Sequence, residues 1–94
     1  MATYIMLGKY SLEGIKEVSA ARTEKAVAII EKNGGVLKSG YAMLGEQDLI
    51  LVLDFPGTEE AMKASVDLAK LTGIAFTTSP AVSLKKFDKL VGKA

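Results

Sequence analysis

Ninety-four residues with 12 basic and 11 acidic side chains, net +1, leave no strong field to steer this chain to nucleic acid or an anionic membrane. A hydrophobic share of 49% against 24% charged describes one small globular domain, residues 1–94, not a disordered chain. Without His or Cys there is no Ser-His-Asp triad, no Cys-His pair and no usual zinc or haem ligand, so neither a cofactor nor a metal is expected.

Thr3 to Tyr10 alternates as a strand, with Ile5 and Leu7 on one face and Tyr4, Met6 and Tyr10 on the other. Its start shows no basic region followed by an apolar signal core, and no apolar run approaches the roughly 20 residues that span a bilayer. The expected location is the cytoplasm. Residues 11–33 follow a helical period, with Ile15, Val18, Arg22, Ala26 and Ile29 on one stripe. They form either one long helix or two, broken near Ser19, which can cap a new start. Asn33-Gly34-Gly35 ends the segment with residues that tolerate positive φ.

Val36 to Leu44 reads as a second strand, Gly45-Glu46-Gln47 as a tight connection and Asp48 to Phe55 as a third strand, together an antiparallel hairpin. Pro56-Gly57 stops it. Thr58 is expected to cap the next helix, with Glu59 and Glu60 complementing its dipole and Met62, Val66 and Ala69 as its apolar stripe. Gly73 closes that helix. Ile74 to about Ser83 forms a fourth strand, where Pro80 calls for an edge or a bulge. Leu84 to Val91 is a short terminal helix; Lys85, Lys86 and Lys89, with Lys93 beyond, read as a solvated polar face.

The order β-α-β-β-α-β plus a tail helix is the ferredoxin-like α+β arrangement, a four-stranded antiparallel sheet with both main helices on one side. The third strand is apolar on both faces: Leu49, Leu51, Leu53 and Phe55 point one way, Ile50 and Val52 the other. Helices cover only one of those faces. The other is expected to carry Tyr4, Met6, Ile50 and Val52, whose burial is worth at most about 6–12 kcal/mol at roughly 1.5–3 each. An apolar sheet face of that size predicts a homodimer or higher homo-oligomer, packed sheet on sheet.

Gly45-Glu46-Gln47-Asp48, followed by an apolar strand and Pro56, resembles the GYD domain family, small bacterial and archaeal proteins named for a Gly-x-Tyr-Asp signature at this hairpin. Arg22 ahead of an alanine-rich helix, Asn33-Gly34-Gly35-Val36, Tyr41 and Asp54 are similar to the family's pattern, and the resemblance runs from Thr3 to about Ser83. Gln47 stands where the family usually has Tyr, so a role for that phenol is not implied here. The resemblance implies a dimeric α+β barrel; similar barrels host cofactor-independent oxygenases, isomerases, haem-dependent enzymes and sensing domains, so the fold supplies no activity.

Arg22 is a cation centred on an apolar stripe, and a buried charge is costly unless paired. Antiparallel pairing of strands one and three brings Tyr10, Arg22 and Asp48 to one end of the sheet, where a polar pocket for a small-molecule ligand is expected, or else a purely structural ion pair. Asp54 shares the parity of Ile50 and Val52 and is expected to face the interface. Tyr4, Met6 and Tyr41 either line a cavity or simply pack. Three functions stay open: an oligomer that binds a small molecule in a pocket of the dimeric barrel, a cofactor-free isomerase or monooxygenase with Asp48 or Asp54 as base and Arg22 or a Tyr stabilising negative charge, and a structural assembly subunit.

Overall fold

The computed structural model describes residues 1–92; Lys93 lies outside them. The elements are β1 (Ala2–Lys9), α1 (Leu12–Lys16), α2 (Ala20–Lys32), β2 (Val36–Ala42), β3 (Leu49–Phe55), α3 (Thr58–Thr72), β4 (Ala75–Ala81) and α4 (Leu84–Val91). The sheet order β2-β3-β1-β4, every pair antiparallel, is the ferredoxin-like arrangement, with Pro80 on the edge strand β4. At the head of the sheet lie Lys9, Leu49 and Ala75; at the foot lie Thr3, Phe55 and Ala81.

Of the two ways to build residues 11–33, the chain takes the broken one. Ser11 accepts a hydrogen bond from the Gly14 amide and Ser19 from the Arg22 amide, so each serine caps its own helix. Ile15 and Val18, on and beyond α1, are consequently exposed and separated from the α2 stripe. Gly34 takes φ 78° to turn the chain out of α2, and Gly73 closes α3 at φ 70°, its amide bonded to the Ala69 carbonyl. Strand β2 carries a bulge between Leu37 and Ser39.

Register settles which faces are covered, and it reverses part of the expectation. Residues directly opposite in an antiparallel pair share a face. Tyr4 pairs with Leu53 and Met6 with Leu51, so Tyr4 and Met6 lie on the helix side; Ile5 pairs with Val52 and Leu7 with Ile50 on the open side. Tyr4 and Met6 are accordingly buried, packed with Leu53, Phe55, Ile30, Ala61, Ala64 and Leu68. The open face carries Ile5, Leu7, Ile50 and Val52, all half-buried, with Tyr41 exposed beside Ile50. It is still apolar, but with different β1 residues.

Helix α3 departs from expectation twice. Its cap is Gly57, not Thr58, whose hydroxyl instead lies 3.1 Å from the Tyr4 hydroxyl. Ala61, Ala64 and Leu68 face the sheet while Met62 and Val66 are exposed. Small residues let the helix approach the Tyr4 and Phe55 rings, which stack edge-on at 6.1 Å.

On the outer side of α3, Lys63 holds the Asp67 carboxylate at 2.7 Å and Asn33 reaches it from the end of α2. The Lys63 hydrogen bond, aided by Asn33, holds the Asp67 carboxyl below the ordinary carboxylate range despite some desolvation. A depressed folded-state pKa stabilises the fold above the unfolded value, and that contribution disappears as pH falls through the folded one. Asp67→Asn is therefore expected to flatten the acid limb of a Tm-against-pH profile slightly and to leave the neutral limb parallel to wild type.

Candidate functional site

Three strands and two helices converge at the head of the sheet around a largely apolar cavity of about 110 Å³ between α2, α3 and the helix-side face. Ile30, Leu49, Leu51, Leu68, Ile74 and Phe76 form most of its wall, and Tyr10, Arg22 and Thr72 supply the polar atoms. Gly8 belongs to this architecture. A Cβ there would sit 2.8 Å from Ile74 and 2.9 Å from Phe76, so the missing side chain lets both close in.

Arg22 is half-buried in the first turn of α2, a turn without an acidic residue. A cation at a helix N-terminus opposes the macrodipole, at a cost of about 0.3–1 kcal/mol. Its Nη1 donates to the Gly14 carbonyl at 2.7 Å, and the guanidinium lies 5.8 Å from the centre of the Tyr10 ring. Among the described residues Arg22 forms no ion pair. A guanidinium has five N–H donors, so a carbonyl and a ring face leave most of the fork available.

Asp48 is near Tyr10 but is not the partner of Arg22. Its Oδ2 accepts from the Tyr10 amide at 3.1 Å and sits 3.8 Å from Lys9 Nζ. Its backbone amide donates to the Gly8 carbonyl, and its carbonyl accepts from the Met43 amide. Lys9 also reaches the Gly45 and Glu46 carbonyls at 3.5 and 3.4 Å. Asp48 thus ties the hairpin loop to the end of β1 and fixes where Tyr10, and with it Arg22, can stand.

The remaining sequence candidates are elsewhere. Asp54 is at the foot of the open face, accepting from Thr3 Oγ1 at 2.7 Å with Lys38 at 3.8 Å. Tyr41 is exposed on that same face. Tyr4 lies in the core and lines no part of the cavity. Leu49, Thr72, Ile74 and Phe76 went unnoticed as lining residues, because they come from three separate elements and an interelement turn that only the tertiary fold brings together.

The molecule is thus a four-stranded ferredoxin-like α+β domain with an arginine in the lining of an apolar pocket. The model of the GYD domain matches residues 4–91, and the chain belongs to that family. No curated protein and no solved structure matches the chain at a significant level. Among the described residues no helix is long and apolar enough to cross a membrane, and no cluster of carboxylates could hold a metal ion.

Proposed function

We propose that the protein is a homodimer, open sheet face against open sheet face, and that each subunit binds a small carboxylic acid with a short apolar body. The supporting observation is Arg22, a half-buried guanidinium in the lining of an apolar cavity that pairs with no carboxylate among the described residues. The cavity is smaller than the roughly 150 Å³ apolar voids that admit benzene, so a short aliphatic body fits it better than a ring, with its carboxylate at Arg22. The cavity that supports this reading lies on the helix side of the single subunit, away from its open sheet face.

A carboxylate bound to Arg22 makes charge-assisted hydrogen bonds of about 1.5–3 kcal/mol. Titration with short aliphatic and aromatic acids, followed by amide chemical shifts around Tyr10 and Thr23, tests this. Arg22→Met is expected to weaken the acid by roughly 10–100-fold while leaving the weak binding of the matching neutral amide unchanged. Equal loss for acid and amide would mean that Arg22 only supports α1 through Gly14.

A further inference from the structure

The terminal helix α4 is the least accommodated element of the fold. Leu84, Phe87, Leu90 and Val91 recur at helical spacing on one stripe, yet every residue of the helix is exposed, Leu84 by 81% and Leu90 by 67%. The helix contributes to a long molecule, 50 by 30 by 18 Å, whose radius of gyration of 14.2 Å exceeds the ~12 Å of a compact domain this size. An amphipathic helix that buries nothing in its own subunit has its partner elsewhere.

A second unmatched apolar surface sits at the opposite end. Leu12, Ile15 and Val18 from the α1 region and Met43 and Leu44 from the hairpin loop line an open groove of about 360 Å³ that shares Tyr10 alone with the Arg22 cavity. Leu44 is 96% exposed. Asp48 lines the groove, and the segments that supply it, residues 9–18 and 42–48, carry Glu13, Glu17, Glu46 and Asp48 against Lys9 and Lys16, with Lys9 engaged by Asp48. The polar side of α4 carries Lys85, Lys86 and Lys89 against Asp88. Apolar stripe and apolar groove are thus flanked by opposite charge surpluses.

The helix of the same chain cannot fill that groove. Strand β4 ends at Ala81, opposite Thr3 at the foot, and only Val82 and Ser83 precede α4. Three extended steps keep Leu84 within about 10 Å of Ala81, so the first residue of the stripe stays near the foot whichever way the helix runs. The distance along β1 from Thr3 to Lys9 is already about 20 Å, with the groove beyond it. A second copy supplies what the first cannot. A two-fold axis lying between two stacked sheets and running across their strands places the foot of one over the head of the other, so both helices meet a groove at once.

We infer that α4 of each subunit docks its Leu84–Phe87–Leu90 stripe into the α1–hairpin groove of a second copy of this chain. The inference rests on the homodimer reading above and adds its orientation and a helix exchange. The cysteine-free sequence makes the test clean. Leu44→Cys and Phe87→Cys are placed together in one chain, both at exposed positions, and the protein is oxidised mildly and run on a non-reducing gel.

The expected result is a covalent dimer, with neither single variant cross-linking efficiently, and dimer dissociation at least tenfold stronger in Phe87→Asp. A wild-type protein that sediments as a single subunit overturns the docking and the homodimer together. A wild-type dimer without the 44–87 cross-link, and indifferent to Phe87→Asp, overturns the docking alone. Co-sedimentation with anionic vesicles that Phe87→Asp abolishes, without a cross-link, assigns α4 to a lipid surface and overturns it equally.

Discussion

Phe55→Ala is expected to lower the unfolding free energy by about 3–5 kcal/mol, measured as the urea midpoint at fixed protein concentration. Phe55 is fully buried at the foot of β3, with the Tyr4 ring edge-on to it and the backbone of Gly35 against its other side. A Cβ on Gly35 would collide with that ring, so the space is already close-packed and has little freedom to collapse. Against a total stability of roughly 5–15 kcal/mol the loss is large. A change under about 1 kcal/mol would mean that the core is centred elsewhere.

Val52→Asp is expected to break the proposed dimer while leaving the subunit folded. Val52 lies on the open face of β3, opposite Ile5 and Ser39, and is half-buried in the lone subunit. There an aspartate keeps contact with water. Between two stacked sheets it becomes an unpaired buried charge, and a two-fold interface contains it twice. A penalty of about 4 kcal/mol or more corresponds to roughly a thousandfold weaker association. Sedimentation should then report single subunits whose far-ultraviolet circular dichroism matches wild type. A variant that remains dimeric would place the interface on another surface.

What could be read from residues alone divides along the line between local and non-local physics. Alternation within β1 and β3, the helix start at Ser19 and the glycine turns depend on neighbours in the chain, and these fall where the pattern allows them. Which face of β1 joins which face of β3 depends on register between residues about 50 apart, and so Tyr4 and Met6 exchanged roles with Ile5 and Leu7. Helix α3 offered two stripes. Hydrophobicity favoured Met62, Val66 and Ala69, but close approach to two aromatic rings selects Ala61, Ala64 and Leu68.

The site follows the same division. Arg22 announced itself as a cation out of place on an apolar stripe, and Tyr10 and Asp48 are near it because antiparallel pairing returns the chain to the same end. Its cavity left no trace in the pattern, since Leu51, Thr72, Ile74 and Phe76 are each ordinary in their own segments. The partner of the guanidinium was equally hidden: Asp48 is engaged by the Tyr10 amide and Lys9, which leaves Arg22 to the Gly14 carbonyl and the Tyr10 ring.

Sedimentation equilibrium of the untagged protein at micromolar concentration measures the common dependency directly: whether the wet apolar layer formed by Ile5, Leu7, Ile50 and Val52 acquires a roof from another molecule. A mass near twice the 10.0 kDa chain is the expected result. A mass of one chain across that concentration range would contradict the account.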